Sequence, residues 1–214
     1  MTDNNEIRHA MIFTGGDWDP AKLSLSALPQ PDYIIAADSG YDKAAALGIC
    51  PDLLVGDFDS LRHDKSTLPA SMEIYKVPCE KDVTDTMLAC DVAIARGYRR
   101  ITIAGGTGGR ADHGLSNILY LENLTNRNVD ALLTDGENRI MVCRDRTIEI
   151  PDRGGYFSVF ALDTCVVTLT GCKYPLHTAT LRRDLPYAVS NEVLPGGTAV
   201  VEISGVAVVM ESVR

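Results

Sequence analysis

The sequence lacks the features that mark several large classes of protein. It has no apolar run of the roughly 18 residues that a membrane-spanning helix needs, and its polar start, residues 1–6, does not have the pattern of a signal peptide. Its six cysteines form no C-x-x-C pair, the spacing that metal knuckles and redox dithiols need. We therefore expect a cytoplasmic protein with no membrane partner, whose cysteines stay reduced.

Basic residues are also too few for a general nucleic-acid binder. The chain has 20 Lys and Arg against 29 Asp and Glu, and its net charge is -9 at pH 7. A nucleic-acid binder needs a basic face that neutralises phosphates. We expect no nucleic-acid partner, and any nucleotide would be held by a local group of residues.

The hydrophobic pattern changes midway along the 214 residues. Up to about residue 135, short apolar runs alternate with helix-like stretches, which is the signature of an α/β domain. After Asp135-Gly136 the runs are short, alternating and divided by Pro and Gly turns, as in a β-sandwich. We predict an N-terminal domain with an open, mostly parallel α/β sheet over residues 1–135 and a small C-terminal all-β sandwich domain over residues 136–214.

Local patterns predict individual elements. The first domain is expected to contain strands at residues 9–13, 33–37, 53–55, 74–77, 101–104 and 129–133. One helix is expected to begin at Thr84-Asp85 and another at His113. The apolar stripes of these helices are predicted to contain Leu88, Val92 and Ala95 in the first and Leu115, Ile118 and Leu119 in the second. In the second domain, residues 203–206 are predicted to form a tight hairpin.

Four loops of the first half carry aspartate or glycine after an apolar run, at residues 37–40, 56–60, 81–85 and 105–113. They recur about 20 to 30 residues apart, the length of one strand and its return helix. Ligands of open parallel sheets bind outside the carboxyl ends of the strands, so these loops are expected to converge on one site.

The aspartates of these loops suggest a metal ion. Asp57 and Asp59 are two apart at a strand end, where alternation would aim both side chains the same way. Asp82 and Asp85 are three apart at a helix start, on one helix face. Without a cation, these carboxylates would repel an anionic ligand, whereas Mg²⁺ binds carboxylates together with substrate phosphates. We predict a magnesium–nucleotide site.

A purely local role is the alternative for the same residues. Asp57 and Ser60 could close a turn, and an aspartate or Thr84 could cap the helix. We favour Asp82 or Thr84 as the cap and Asp85 as a metal ligand. Lys81 is a weaker candidate for a phosphate contact.

The glycine-rich loop after the fifth predicted strand favours phosphate binding. Its glycines are Gly105, Gly106, Gly108 and Gly109. They allow close backbone approach, the following helix start attracts anions, and Arg110 offers a bidentate guanidinium. No Lys-Ser/Thr pair follows, so this is not a Walker A loop.

Two other functions fit parts of the pattern. Gly106-x-Gly108-x-x-Ala111 matches the loose dinucleotide motif, with Asp130 or Asp135 about 20 residues further on, which would suit a nicotinamide-dependent oxidoreductase. A nucleotide-sensing module without catalysis is the third hypothesis.

The loop at residues 105–113 also contains two candidate catalytic or binding residues. Asp112 could orient or deprotonate an attacking hydroxyl, while His113 could contact phosphate or cap the helix.

Taken together, these motifs closely resemble thiamine pyrophosphokinases. The order and spacing of residues 37–40, 47–60, 81–85 and 105–113 match that family, and residues 171–176 and 190–192 resemble its thiamine-binding domain. Ser39 departs from the pattern, because the family often has a glycine there.

The resemblance implies transfer of a diphosphoryl group from ATP to the hydroxyl of thiamine, which gives thiamine diphosphate and AMP. It also implies a role for each matching residue. Mg²⁺ would be bound by Asp57, Asp59 and Asp85, with Asp82 as a further ligand; the phosphates by Arg110 and the glycine loop; the nucleotide by Asp38 and Gly40; and the thiamine hydroxyl by Asp112.

Thiamine is a flat cation that an aromatic face would suit. The family pattern implies Tyr174, Ser190 and Asn191 as its contacts, reaching the active site of a second subunit in a homodimer. Packing within the β domain is the alternative for Tyr174. Trp18 is a further stacking candidate, for which packing is favoured.

Overall fold

The computed structural model describes residues 7–58, 68–77 and 83–213. The chain divides into two compact units, Met1–Gly136 and Glu137–Arg214. The predicted α/β class is confirmed. Three predicted site residues, Asp59, Lys81 and Asp82, lie outside the described ranges.

The strands of the first unit pair in parallel in the order β6-β5-β1-β2-β3-β4. Their bounds are β1 His9–Thr14, β2 Tyr33–Ala37, β3 Leu53–Gly56, β4 Glu73–Lys76, β5 Arg100–Ala104 and β6 Asp130–Thr134. All six predicted runs are strands, and every residue of the central strand β1 is buried, as expected of a parallel strand with both faces covered.

The strand order places a switch point beside β1. The chain runs outward from β1 to β4 and then returns to the other side of β1 as β5. The loops that follow β1 and β5 therefore leave the sheet as neighbours, and such a point is where ligands bind in open α/β sheets.

Three α-helices connect strands in the described part of this unit: α1 Gly40–Ala46, α2 Asp85–Ala95 and α3 Ala111–Asn126. Two short 3-10 helices, Pro20–Lys22 and Leu25–Ala27, lie between β1 and β2. Both predicted helices exist, but their predicted apolar stripes do not coincide with the buried faces. The buried residues are Thr86, Ala89, Cys90 and Ala93 on α2, and Gly114, Asn117, Leu121 and Leu124 on α3. On α2 the buried face consists of small side chains, which let a helix backbone pack close to its neighbours, whereas on α3 it combines Gly114 with large residues further along the helix. Leu115 and Leu119 are 58% and 51% exposed.

The second unit is antiparallel and centred on one long strand. Its strands are β7 Asn138–Pro151, β8 Tyr156–Ala161, β9 Thr164–Thr170, β10 Leu176–Arg182 and β11 Thr198–Ser212. On one side, β11 pairs with β7 along its whole length. On the other, it pairs first with β9 and then with β8. The sandwich geometry of this unit stays a prediction.

The predicted hairpin at residues 203–206 is wrong, because these residues lie inside β11. The register with β7 shifts between Ile203 and Val206, so the extra residues form a bulge. Gly205 has φ +103° and donates its backbone N–H to Asp145 Oδ1 at 2.7 Å. The Ser-Gly sequence is compatible with a bulge and with a turn. Here it forms a bulge, because the segments on both sides of it pair with β7.

The helices that the structure describes include none that is both long and apolar enough to cross a membrane.

Candidate active site

A cavity of about 640 Å³ lies in the first unit, where the loops after β1, β2, β3 and β5 meet the first turns of α2 and α3. This volume lies within the range of small-molecule sites. Its lining residues are Thr14, Gly15, Gly16, Ala37, Asp38, Ser39, Asp57, Val83, Thr84, Asp85, Thr86, Gly106, Gly108, Arg110, His113 and Asn117.

The cavity brings together most of the described candidate residues of the first unit. Those that line it are Asp38, Asp57, Asp85, Gly106, Gly108, Arg110 and His113. Four other candidates do not line the cavity, although each is within two residues of one that does: Gly40, Gly105, Gly109 and Asp112. The loops thus converge on one cavity, as the parallel topology requires.

Gly40 and Gly105 support the wall by allowing close approach of neighbouring groups. A Cβ atom on Gly40 would lie 2.0 Å from the carbonyl oxygen of Phe13, so α1 can begin against the end of β1 only with glycine there. Gly105 has φ +92°, and a Cβ atom would lie 2.2 Å from Nε1 of Trp18. Both glycines therefore fix loop positions.

Asp38 and Asp57 belong to two loops in direct contact. Asp38 has φ +49° and donates its backbone N–H to the carbonyl oxygen of Val55 at 2.8 Å. A Cβ atom on Gly56, just before Asp57, would lie 3.2 Å from Cβ of Asp38. Glycine at position 56 therefore lets the two carboxylate-bearing loops lie side by side.

The backbone beyond β3 does not continue the strand alternation on which the pairing of Asp57 with Asp59 was predicted. β3 ends at Gly56, and Phe58 has φ +66°, which is a left-handed conformation. Its ring is buried, 7% exposed, in a cluster with Tyr41 and Leu54. The buried ring fixes the turn beside Asp57. Because Asp59 lies outside the described residues, the predicted pairing of Asp57 with Asp59 stays a prediction.

Thr84 caps α2, as one of the two predicted alternatives stated. Its Oγ1 accepts the backbone N–H of Met87 at 3.2 Å, and its backbone is extended. Asp85 and Thr86 then form the first turn at the cavity. The positive end of the helix dipole favours negative charge at this point, both the Asp85 carboxylate and an anionic ligand.

The loop after β1 was missed by the sequence analysis as part of the site. Thr14, Gly15 and Gly16 line the cavity. A Cβ atom on Gly15 would lie 2.2 Å from the Ser39 hydroxyl, so glycine at 15 accommodates serine at 39. The Gly-Gly pair directly after the first apolar run was the available signal, because it follows the same rule as the other loops.

Trp18 packs beneath this loop and does not line the cavity, so the favoured packing role is confirmed. It is 7% exposed and lies in the core with Phe13 and Ala104. Its Nε1 donates to the carbonyl oxygen of Thr14 at 3.1 Å, and Lys43 Nζ donates to the carbonyl oxygen of Trp18 at 2.7 Å. The indole and the lysine thus hold both ends of the loop.

Asn117 was also missed, because a buried polar residue inside a helix gives no motif. It is 6% exposed, and its Nδ2 donates to the carbonyl oxygen of Gly106 at 2.9 Å. Gly106 itself has φ +83°. The amide therefore links α3 to the glycine loop and fixes the backbone that faces the cavity.

Arg110 and Asp112 form an exposed bidentate ion pair beside the cavity. Arg110 Nη2 and Nε donate to the two oxygens of Asp112 at 2.6 and 3.1 Å, and the backbone N–H of His113 donates to Oδ1 at 3.0 Å. The hydrogen bond from Arg110 is the main cause that holds the pKa of the Asp112 carboxyl below its usual value. His113 thus contacts the pair through its backbone.

Acidic residues at the cavity are spread over separate loops. Within the described ranges, no group of three or more His, Cys, Asp or Glu side chains has a metal-binding arrangement. Asp57 and Asp85 nevertheless line the same cavity, and Mg²⁺ typically uses one or two carboxylates with substrate phosphates. The oxygen donors present therefore fit that ion.

In the second unit, Asn191 holds the segment that carries Tyr174. Asn191 is 4% exposed; its Oδ1 accepts the backbone N–H of Tyr174 at 3.0 Å and its Nδ2 donates to the Tyr174 carbonyl oxygen at 2.8 Å. Tyr174 is 57% exposed. Asn191 is thus bonded within the protein, while the tyrosine ring is exposed and has Lys173 Nζ 5.5 Å from its centroid.

Ser190 and a small groove adjoin this pair. Ser190 is exposed, has φ +56° and donates its backbone N–H to Ser158 Oγ at 3.0 Å. A groove of about 90 Å³ is lined by Leu169, Tyr174, Leu176, Tyr187, Ala188, Val189 and Asn191. Tyr187 was missed by the sequence analysis, because an exposed tyrosine between two strands has no distinguishing pattern.

Comparison with known proteins gives concordant matches for both units. The family model for the thiamin pyrophosphokinase catalytic domain matches residues 26–133, and that for the thiamin pyrophosphokinase vitamin B1 binding domain matches residues 145–206. A thiamine pyrophosphokinase of Bacillus subtilis (strain 168) is 36% identical over 169 residues, which is 75% of this chain and 78% of the relative.

Solved structures agree with these matches. The crystal structure of thiamine pyrophosphokinase from Bacillus subtilis superposes with a TM-score of 0.84 at 28% identity, covering 97% of this chain and 100% of that one. The enzyme from Geobacillus thermodenitrificans gives 0.81 at 27% identity, covering 96% and 98%. Since sequence, both domain models and the fold agree, the chain belongs to the thiamine pyrophosphokinase family.

Proposed function

We propose that the chain transfers a diphosphoryl group from ATP to the hydroxyl of thiamine in the cavity of the first unit. As a member of its family, it is an ATP-dependent enzyme that produces thiamine diphosphate. The observation that carries the location is the convergence on one cavity of Asp57, Asp85, Arg110 and the backbone of Gly106 and Gly108. This set answers the needs of phosphoryl transfer, which are positioning and neutralisation of charge.

Asp57 and Asp85 would bind Mg²⁺ together with the phosphates of ATP. Asp59 and Asp82, which lie outside the described ranges, complete the acidic set implied by the family resemblance. When bound, the ion neutralises phosphate charge and orients the oxygens for displacement. The two described aspartates reach the cavity from the end of β3 and from the first turn of α2, that is, from two independent elements.

The remaining phosphate contacts come from Arg110 and the backbone of the glycine loop. Gly106 and Gly108 line the cavity with their backbone, and a Cβ atom on either would collide with a neighbouring group, at 2.6 Å from Asn117 Nδ2 and 1.9 Å from the Asp17 carbonyl oxygen. Arg110 supplies a guanidinium that can bind two phosphate oxygens at once. Together they would hold the β-phosphorus in line between the attacking oxygen and the bridging oxygen that leaves with AMP.

Asp112 would orient the acceptor hydroxyl by accepting its hydrogen bond. The thiamine oxygen then forms its bond to the β-phosphorus while its proton passes to the Asp112 carboxylate, and the bond from the β-phosphorus to the bridging oxygen breaks, so that this oxygen leaves with AMP. Asp112 is exposed beside Arg110, so an acceptor next to bound phosphates is within its reach.

Tyr174 would contact the thiamine ring, with Asn191 acting through it. The Tyr174 ring is exposed, whereas the Asn191 amide is bonded to the Tyr174 backbone. Asn191 is therefore a positioning residue, and the exposed Ser190 keeps a direct role in this proposal.

The family resemblance further supports a homodimer in which Tyr174 of one subunit serves the active site of the other. Mixing the variants Asp57→Asn and Tyr174→Ala tests this arrangement, at a low thiamine concentration where each variant alone is expected to be nearly inactive. Random exchange of subunits should restore about a quarter of the sites in a shared-site dimer, because half the dimers are mixed and each has one intact site. No recovery would show that each subunit uses its own Tyr174.

The proposed reaction is tested by separating AMP, ADP and thiamine diphosphate after incubation with ATP, Mg²⁺ and thiamine. We expect AMP and thiamine diphosphate in equal amounts, loss of both with a chelator, and recovery with excess Mg²⁺. Formation of ADP, or turnover that survives the chelator, would contradict the proposed transfer or its metal requirement.

A further inference from the structure

The Arg110–Asp112 pair joins two residues that the proposed reaction needs separately. Arg110 lines the cavity, whereas Asp112 does not. Both carboxylate oxygens of Asp112 accept hydrogen bonds from Arg110, at 2.6 and 3.1 Å. While this pair is closed, the guanidinium edge that would bind phosphate and the carboxylate that would receive the acceptor hydroxyl are bonded to each other.

A phosphate that binds the Nε–Nη2 edge of Arg110 would compete directly with Asp112, which occupies that edge. A carboxylate and a phosphate present the same pair of acceptor oxygens to a guanidinium, and the phosphate carries more charge. The side chains of Arg110 and Asp112 are 71% and 63% exposed, so their mutual attraction is weak and easily exchanged. Exchange keeps the number of hydrogen bonds to Arg110 constant and frees the carboxylate.

We propose that the Arg110–Asp112 pair is a latch that opens when the phosphates of ATP take Arg110, so that nucleotide binding makes Asp112 available to the thiamine hydroxyl. This inference rests on the proposed function and adds to it an order of binding, nucleotide before acceptor. Asp112 then accepts hydrogen bonds from Arg110 in the free enzyme and from the acceptor hydroxyl in the complex.

Release also improves Asp112 as an acceptor. The hydrogen bond from Arg110 lowers the pKa of this carboxyl, so its loss raises the proton affinity of the freed oxygens. The backbone N–H of His113 still donates to Oδ1 at 3.0 Å and keeps the carboxylate oriented. The freed group is therefore both more basic and held in position.

The second unit contains a matched pair that can serve as a control. Arg182 and Asp184 have the same spacing, with Nε and Nη2 donating at 3.0 and 2.6 Å and side chains 62% and 67% exposed. Neither residue lines the cavity. The two pairs therefore differ in whether the arginine can exchange its partner for bound phosphate.

Calorimetric titration of thiamine, with and without α,β-methylene-ATP and Mg²⁺, measures the latch directly, because this analogue cannot be cleaved at the reacting bond. In the native chain we expect the analogue to tighten thiamine binding about two- to fivefold, the scale of an exposed ion pair. By linkage, thiamine should tighten binding of the analogue by the same factor.

Arg110→Ala should remove the coupling in a defined way. Without the analogue, this variant should already bind thiamine as tightly as the native chain does with it, because Asp112 is free from the start. In this variant, the ratio of thiamine affinity with saturating analogue to thiamine affinity without it should therefore be about one. Arg110→Lys, which keeps the charge but cannot make the bidentate pair, should show at most a small ratio, and Arg182→Ala should keep the native ratio.

Two results would overturn the latch. One is equal thiamine affinity of the native chain with and without the analogue; the other is an Arg110→Ala variant with unchanged thiamine affinity in the absence of nucleotide. If the native chain still makes thiamine diphosphate and AMP, only the latch is wrong. If it makes neither, the proposed function fails as well.

Discussion

Gly105 and Trp18 are so close that a Cβ atom on Gly105 would lie 2.2 Å from Nε1 of the indole. The same indole nitrogen donates to the carbonyl oxygen of Thr14, at the end of the neighbouring strand β1. The loops after β1 and β5 are thus joined through one buried side chain at the switch point of the sheet. The shape of the cavity depends on this contact, although neither Gly105 nor Trp18 lines it.

Replacing Gly105 by alanine should therefore destabilise the first unit and weaken nucleotide binding. Gly105 has φ +92°, and the added methyl group would also collide with the buried indole. We expect a loss of roughly 2 kcal/mol or more in the free energy of unfolding, measured by urea denaturation.

Gly48→Ala is the matched control for this change. Gly48 also has a positive φ, +71°, but nothing lies within 4 Å of its would-be Cβ atom. Its replacement should cost about 1 kcal/mol, from backbone strain alone. If both variants lost the same free energy of unfolding, the close approach of Trp18 to Gly105 would not contribute to the need for glycine at position 105.

Replacing Asn191 by alanine should raise the KM for thiamine and leave the KM for ATP unchanged. The change removes two hydrogen bonds to the Tyr174 backbone, so the exposed ring loses its fixed position. Two such bonds correspond to roughly a tenfold effect or more. Steady-state kinetics with each substrate varied in turn measures this.

Asn123→Ala, an exposed position on α3, is the control for Asn191. It should leave both KM values as they are. If Asn191→Ala raised both KM values equally, or left the KM for thiamine unchanged, the positioning role assigned to Asn191 would be wrong.

His9 should make the stability of the first unit depend on pH. The ring is 3% exposed, with Nε2 at 2.9 Å from Thr102 Oγ1 and Nδ1 at 3.2 Å from the Gln30 carbonyl oxygen. Burial is the main cause that lowers the pKa of His9 below 6.5; the hydrogen bond with the Gln30 carbonyl oxygen opposes this, Arg100 lowers the pKa further and Asp32 raises it. The unfolded chain therefore binds a proton more readily, so the stabilisation is complete above about pH 6.5 and is lost as the pH falls through the lower, folded-state pKa.

Urea midpoints measured from pH 8 to pH 5 test this dependence. The fall should be shallower in His9→Gln, by up to about 1.4 kcal/mol per pH unit for one proton. His177→Gln, at an exposed position on β10, should leave the slope as in the native chain. An unchanged slope in His9→Gln would contradict the assignment.

Much of the cavity was predictable because parallel topology converts sequence order into spatial convergence. Once the apolar runs were taken as parallel strands, the loops carrying Asp38, Asp57, Asp85 and Arg110 had to meet at one edge. Thr84 was predictable as a cap because its hydroxyl bonds within its own helix, without help from distant residues.

Other features depend on contacts that sequence periodicity does not record. The buried faces of α2 and α3 were predicted from their largest apolar residues, yet Ala89 and Gly114 face inward because close helix packing favours small side chains. Likewise, the Ser204-Gly205 pair forms a bulge because its flanking segments both pair with β7. Only the partner strand distinguishes this from a hairpin.

The role of the cavity in diphosphoryl transfer is tested most sharply by the kcat of Asp57→Asn in the separated-product assay. We expect a fall of roughly 100-fold or more in the joint formation of AMP and thiamine diphosphate, with the far-ultraviolet circular dichroism unchanged. Asp130→Asn is the control. Asp130 is the first residue of β6 and lies at the amino end of its strand, whereas Asp57 follows the carboxyl end of β3, so this variant should retain native turnover. Native turnover by a folded Asp57→Asn variant would contradict the claim that this cavity is the site of diphosphoryl transfer.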